Sequence, residues 1–246
     1  MGFEATTLEG FIQQLAVCYV GRGHWFYVRG TVPAKKDLRA VDEKLGSRYG
    51  ADISRFERCR RRRAGLASVR YIRFGRTFVL AATHGKHRFF EEEAGILDVR
   101  QVPVKLGGYA VGHRAGRVSV RIEREAWKGL RAYYLEEATR RPVEWFVREF
   151  WRWPFEPWAP VRRQTFLVLT QVNRARKAGG LELVPTSCIR LKRRIYRPFE
   201  PVAEEGGGTD EAGGVVIHPR QEGSATRSRV PALRRFSEGP SRSCRA

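Results

Sequence analysis

Two histidines and several acids stand together in one short stretch of this sequence. His84 and His87 enclose two residues, Glu91 follows four residues later, and Asp98 lies further along. Neutral imidazoles and a carboxylate form the usual shell of a divalent metal ion that activates water for hydrolysis. In that interpretation His84, His87 and Glu91 are catalytic, and His84, His87 and Asp98 hold the metal. The His-x-x-His spacing is short and weakly specific, so a metal-dependent nuclease or phosphodiesterase is an alternative and not the main prediction.

Arginines are the second group of side chains that could do chemistry. Six of the nine residues from Arg55 to Arg63 are arginine, a density that no buried face accepts, so the segment must lie on the surface. Phe56 is interleaved, and aromatics such as Tyr71 or Trp25 could stack bases. The segment therefore favours a phosphate-binding ridge over a merely solvated charge run. The predicted nucleic-acid-binding residues are Arg55, Arg58, Arg60, Arg61, Arg62, Arg63, Arg73, Arg76, Lys86, Arg88, Arg121, Arg174, Arg190, Lys192, Arg193 and Arg194.

The net charge of the chain agrees with a polyanionic partner. Its 246 residues carry a formal net charge of +21, which favours contact with nucleic acid. Codon bias in a GC-rich genome explains arginine in place of lysine, but it does not explain the excess over acids. We predict binding to DNA or RNA that is led by phosphate contacts and largely sequence-tolerant. A link to a mobile element or a ribonucleoprotein particle stays open, and a non-catalytic scaffold subunit that binds a protein partner is a second alternative.

Several other classes of protein have no residues to support them. The sequence lacks G-x-x-x-x-G-K-[ST], a G-x-G-x-x-G that follows a strand, and G-x-S-x-G. Its four cysteines are far apart with no C-x-x-C pair, so neither a disulfide framework nor a cysteine zinc site is indicated. No cofactor is predicted beyond a divalent metal in the nuclease alternative. The chain shows no signal peptide and no apolar run that could span a bilayer, so we expect a cytoplasmic protein without a membrane partner.

The pattern of β-forming residues predicts the elements that position these side chains. A hairpin should run from Val69 to Ala82 across Phe74-Gly75-Arg76, and a second one should turn at Arg114-Ala115-Gly116. An aromatic strand at Trp25–Val28 precedes a helix for which Asp37 is a suitable N-cap. The histidines and acids therefore follow directly after the second arm of the first hairpin.

From Glu123 the pattern becomes helical, and the best helix is expected at Val161–Ala178. We predict an α+β or α/β fold with a mixed sheet and hairpins in the N-terminal half, a helical C-terminal half and a disordered C-terminal tail. The boundaries are a basic sheet-rich region at 1–122, a helical region packed on it at 123–200, and the tail at 201–246. The tail has seven Arg against six Asp plus Glu, hence only +1 of the total charge. The folded part is the polycation.

Overall fold

The computed structural model describes residues 2–152, 158–189 and 197–199. Within these ranges helices combine with two antiparallel sheets, which confirms an α+β fold. The helices are α1 (Leu8–Gln13), α2 (Leu38–Tyr49), α3 (Arg55–Arg63), α4 (Phe89–Glu92), α5 (Arg124–Glu137), α6 (Val143–Arg152) and α7 (Ala159–Ala178). The strands are β1 (Phe26–Thr31), β2 (Val69–Phe74), β3 (Thr77–Ala82), β4 (Leu97–Asp98), β5 (Val104–Leu106), β6 (Tyr109–Arg114) and β7 (Arg117–Ile122).

The first sheet is built on the hairpin that the sequence predicted. β2 and β3 pair over their full length and are joined by a two-residue turn in which Gly75 has a φ of +56°. Glycine adopts that left-handed conformation at little cost, which explains its place in the turn. β1 pairs with the other edge of β3 and β4 pairs with β1, so the strand order is β2-β3-β1-β4.

The second sheet has the strand order β5-β6-β7 and contains the second predicted hairpin. Ala115 and Gly116 link β6 to β7 with φ values of +47° and +74°, the signs that a type I′ turn requires. The single mixed sheet expected from the sequence is therefore replaced by two antiparallel sheets. β4 is only two residues long, and the chain leaves the first sheet before β5 begins the second.

Both faces of the first sheet are covered. Alternate residues point to opposite faces of a strand, and Ile72 and Val79 belong to one buried cluster whereas Tyr71 and Leu80 belong to another. The first cluster continues into α1, the second sheet, α5 and α7. The second is closed by residues of α2 and α4, such as Tyr49. Each arginine on β2 is therefore directed to one of two packed interfaces.

Two irregular turns follow α1 and lead into β1. A π-helical segment at Gln14–Tyr19 and a 3₁₀ turn at Val20–Arg22 end at Gly23, which has a φ of +89°. Tyr19 fixes this segment to the sheet, because its hydroxyl donates a 2.9 Å hydrogen bond to the Tyr71 carbonyl. This connection places Arg22 and the residue after Gly23 beside the start of β2.

The helical half packs on the second sheet. The side-chain amide of Gln164 on α7 pairs with both backbone groups of Ile122, donating to the carbonyl at 3.1 Å and accepting from the amide at 2.8 Å. α7, the helix expected at Val161–Ala178, buries an apolar stripe that includes Val161, Val168 and Leu169. No helix in the described ranges is long and apolar enough to cross a membrane. The tail predicted at 201–246 lies outside the described residues.

Candidate functional site

The arginine-rich segment forms α3, and its spacing sorts the arginines onto two sides. Ser54 caps the helix by accepting a 3.1 Å hydrogen bond from the Glu57 amide, and no residue of α3 is buried. Arg55, Arg58 and Arg62 recur at intervals of three and four residues, so they share one face of the helix. The segment is thus a surface helix with a distinct arginine face.

That face of α3 forms one wall of a cleft of about 390 Å³. The opposite side is formed by the 3₁₀ turn before β1 and by the first residues around β2. We call this site the arginine cleft. Its lining residues are Arg22, His24, Arg55, Arg58, Cys59, Arg62, Ser68 and Arg70. Five arginines therefore line one concavity whose lining contains no carboxylate, and the Arg58 guanidinium also donates to the Ile53 carbonyl.

The arginines of the cleft and the other arginines of α3 differ in their partners. Glu57 accepts from Arg60, and it accepts from Arg61 at 3.5 Å, on the side of the helix away from the cleft. Within the described ranges, no ion pair joins a cleft arginine to an acid. Burial, and then the charges of Arg70 and Arg22, lower the pKa of the Arg58 guanidinium. The cleft concentrates positive charge that the described part of the protein does not neutralise.

His24 is a buried titratable residue of the cleft. Its side chain is 4% exposed, and its Nδ1 lies 3.2 Å from the Tyr19 carbonyl oxygen. Burial, reinforced by the charges of Arg70, Arg58 and Arg62, lowers the pKa of the His24 imidazole to about 4. His24 Nε2 and Arg70 Nε are both buried with no hydrogen-bond partner among the described residues. Two nitrogens of the cleft therefore keep an unused capacity to bind a polar ligand.

The predicted metal site does not form. Across the described residues, no three His, Cys, Asp or Glu side chains lie close enough to hold a metal ion. His84 is exposed and its ring lies beside Phe26, whereas His87 Nδ1 accepts a 3.0 Å hydrogen bond from the Phe89 amide. Asp98 is held by the Arg100 guanidinium, which keeps the pKa of that carboxyl low. The described residues do not form the predicted shared site of His84, His87 and Asp98, because each of these side chains contacts a different partner.

The acids after the two histidines attach α4 to α2. Glu92 forms a 2.9 Å ion pair with Arg48, and Glu93 accepts a hydrogen bond from the Tyr49 hydroxyl. Glu91, predicted as a catalytic residue, is exposed on α4. Two of the three successive acids, Glu92 and Glu93, therefore have structural partners.

Arg73 has to be removed from the predicted phosphate-binding set. It is 1% exposed, and its Nε and Nη2 donate to the Asp42 carboxylate at 2.9 Å each. Glu4 accepts from its Nη1 at 3.0 Å. The parity of β2 directs Arg73 to the interface with α2, whereas Arg70 is directed to the opposite face and into the cleft. Arg76 lies in the turn, where its side chain donates to the Pro33 carbonyl.

The remaining predicted cations are not part of the cleft. Lys86 and Arg88 are exposed at the strand end, Arg63 is exposed on α3, Arg174 is exposed on α7, and Arg121 is half-buried on β7. Arg190, Lys192, Arg193 and Arg194 lie outside the described residues.

An exposed aromatic side chain lies near the cleft, but it is not one of the two expected. Tyr71 is buried, with 2% exposure. Trp25 is covered by the Arg100 guanidinium, which lies 4.4 Å from the centre of its ring. Phe56 on α3 is 86% exposed and precedes Cys59 of the cleft by about one helical turn. An open aromatic ring therefore stands next to the arginine cleft.

Three basic residues of the cleft were missing from the predicted site set. Arg22 and His24 precede β1, and Arg70 is the second residue of β2. The helical spacing of Arg55, Arg58 and Arg62 was readable in the sequence and separates the cleft face from its neighbours. No sequence signal indicated that the turn before β1 would stand opposite this face, because that depends on the strand order.

Comparison with known proteins does not assign the chain to a family. Neither the models of known protein families nor the curated proteins give a match to this sequence.

Proposed function

We propose that this protein binds single-stranded or otherwise accessible nucleic acid, DNA or RNA, through phosphate contacts in the arginine cleft. The observation that carries the proposal is the convergence of five guanidiniums from α3, β2 and the turn before β1 in a lining without a carboxylate. Arginine presents a planar fork of donors that matches phosphate oxygens and stays charged at any physiological pH. These contacts read the backbone and not the bases, so binding is largely sequence-tolerant.

Phe56 supports a role for bases beside the phosphate contacts. An aromatic side chain with 86% exposure has little part in the core. Its position next to the cleft allows a base to stack on it while the adjoining phosphate lies among the arginines. Combining a basic groove with an aromatic platform is the general mode by which proteins hold single strands without reading sequence.

The test is the affinity of the full chain for fluorescently labelled single strands and duplexes of DNA and RNA, measured by anisotropy between about 50 and 300 mM salt. Because each neutralised phosphate of a single strand contributes about −0.7 to the slope of log K against log salt, five cleft arginines that each neutralise one phosphate predict a slope of about −3.5. Strands of unrelated sequence should bind with similar affinity.

Two results would contradict the proposal. Affinity that stays constant as salt rises would exclude a mechanism led by phosphate contacts. Absence of binding to every nucleic acid would leave the protein-binding scaffold as the better account of the charge.

A further inference from the structure

The arginine cleft holds more positive charge than one internal phosphodiester requires. An internal phosphodiester carries a single negative charge, whereas a terminal phosphate monoester carries up to two and presents three unesterified oxygens. Five arginines in a lining without a carboxylate match the charge of a terminal phosphate better than that of an internal phosphodiester. The volume of about 390 Å³ lies in the range of small-ligand sites. A concave site of this size can surround the end of a strand. An internal phosphate fits less well, because the strand has to leave the site on both sides of it.

The hydrogen-bonding capacity of His24 points to the same ligand. The Tyr19 carbonyl oxygen can only accept, so the hydrogen of the neutral ring is on Nδ1, 3.2 Å away. Nε2 then carries a lone pair, and it has no partner in the described part of the chain. An oxygen of a fully ionised phosphate is also only an acceptor. It can therefore form a hydrogen bond with His24 Nε2 only if one proton lies between the two atoms.

A terminal phosphate, unlike a phosphodiester, has an oxygen that can share that proton. The second pKa of a phosphate monoester is about 6, whereas burial and the cleft arginines hold the pKa of the free His24 imidazole at about 4, so the charge of the bound phosphate has to favour the shared proton. A phosphodiester has no proton to share near neutral pH. Bound anionic oxygens would also offset the arginine charges that disfavour a protonated His24. The proton comes from solvent, and no covalent bond forms or breaks.

We infer that the arginine cleft binds the terminal phosphate of a nucleic-acid strand, with one proton held between a phosphate oxygen and Nε2 of His24. The inference rests on the proposed function and adds the part of the strand that is recognised. The charged and titratable groups that face His24 or line the cleft with it are Tyr19 of the π-helical segment, Arg22 of the 3₁₀ turn, Arg55, Arg58, Cys59 and Arg62 of α3, and Arg70 of β2.

The first experiment compares single strands that differ only at their ends. Oligonucleotides of one sequence with a 5′-phosphate, a 3′-phosphate or hydroxyls at both ends are bound to the full chain at one salt concentration. Because charge-assisted hydrogen bonds to a phosphate are strong, one phosphorylated end should bind about tenfold more tightly than the hydroxyl strand. Comparing the affinities of the 5′-phosphorylated and 3′-phosphorylated strands identifies which end enters the cleft.

The second experiment counts protons. Calorimetry at pH 7.5, in phosphate-free buffers of different ionisation enthalpy, should give an uptake of about one proton per phosphorylated strand, because both free groups lack that proton at this pH. The hydroxyl strand should give none. His24→Asn keeps a donor for the Tyr19 carbonyl and should abolish the uptake. Arg22→Gln, at an exposed position that does not threaten folding, should reduce the preference for the phosphorylated end but leave the uptake.

The outcomes separate this inference from the function on which it rests. Equal affinity for all three strands would overturn the recognition of the end but leave nucleic-acid binding intact. Preference for a phosphorylated end without proton uptake in the wild type would overturn the part assigned to His24. Failure to bind any strand would refute the proposed function itself.

Discussion

His24 shows how a group of the proposed ligand site can weaken the fold that carries it. Its imidazole is buried among cations, and its pKa falls to about 4 from an ordinary value of 6.5. Above pH 6.5 the ring is neutral in both the folded and the unfolded chain, so it does not change stability with pH. Between about pH 6.5 and 4 the unfolded chain binds a proton at this position and the folded chain does not. Stability is therefore lost as the pH falls through this window.

We predict that the free energy of unfolding declines by roughly 3 kcal/mol from this group as the pH falls from 7 to 4, since each unit of pKa corresponds to about 1.4 kcal/mol. Urea denaturation at a series of pH values measures it. His24→Asn should flatten the curve over this range, whatever its effect on stability at pH 7. An unchanged pH dependence in the variant would show that His24 is not the buried neutral group described above.

Arg73, unlike the arginines of the cleft, is buried and paired with acids. Its guanidinium is 1% exposed and is bound by Asp42 and Glu4. The Tyr71 hydroxyl donates at 2.6 Å to Asp42 Oδ1, which also accepts from Arg73 Nε. Burial, together with this hydrogen bond, raises the pKa of Tyr71. Removing one member of such a group leaves an uncompensated charge in the core, which costs more than the pair itself contributes.

Asp42→Ala should lower the free energy of unfolding by about 3–5 kcal/mol, as measured by urea denaturation. Lys128→Ala, which breaks the exposed pair with Glu125, should cost less than about 1 kcal/mol. Replacing the buried group by apolar residues of similar size, Asp42→Leu with Arg73→Met and Tyr71→Phe, should recover most of the loss. Similar effects for the buried and exposed pairs would contradict this account.

The loop after α3 is joined to the end of β3, and this junction supports one wall of the cleft. The amide of Lys86 donates to the Gly65 carbonyl at 3.2 Å, and the amide of Ala67 donates to the Lys86 carbonyl at 3.1 Å. Gly85 makes this approach possible. Its φ is +132°, and a Cβ there would stand 2.5 Å from the Ala67 nitrogen and 2.7 Å from the Gly65 oxygen.

A glycine-to-alanine substitution that meets only backbone strain at a positive φ costs about 1–2 kcal/mol. Because the added Cβ at position 85 also clashes with backbone atoms, Gly85→Ala should lower the free energy of unfolding by at least about 2 kcal/mol more than that. Gly95→Ala is the matched control, because Gly95 has a φ of +76° but no atom within 4 Å of the added Cβ. Chemical denaturation of the two variants gives the comparison. Equal losses would mean that the backbone around Gly65 moves aside freely.

The fold was predictable from the sequence where local chemistry decides it. Gly75 and the Ala115–Gly116 pair mark the two hairpins through their positive φ values, and Asp37 caps α2 with a 2.8 Å hydrogen bond from the Ala40 amide. What remained hidden depends on long-range pairing. The strand order β2-β3-β1-β4 brings the turn before β1 near α3, and no local pattern encodes it.

The candidate site was predictable only in part for the same reason. Arg55, Arg58 and Arg62 were correctly placed on the surface as part of an arginine-rich segment. Arg73 was assigned to the surface as well, although Asp42 lies 31 residues earlier in the chain and pairs with it in the core. The histidines and acids near Glu91 are close in sequence, but no three His, Cys, Asp or Glu side chains in the described part of the chain are placed to hold a metal ion.

The charge of the protein is organised rather than uniformly spread. α3 contributes three arginines to the cleft and carries Arg60 and Arg61 beside Glu57. If the total charge alone attracted nucleic acid, any arginine of this helix would be worth the same. If the cleft binds phosphate, the two sides of one helix should differ sharply.

Two triple variants measure that difference. Arg55→Gln/Arg58→Gln/Arg62→Gln and Arg60→Gln/Arg61→Gln/Arg63→Gln each remove three charges from the same helix and lower the net charge of +21 equally. Thermal melting first establishes that both are folded. The salt dependence of single-strand affinity should become shallower by about 2 in the first variant, at about 0.7 per lost phosphate contact, and stay within about 0.5 of the wild type in the second. Equal changes in the two variants would contradict a phosphate-binding cleft.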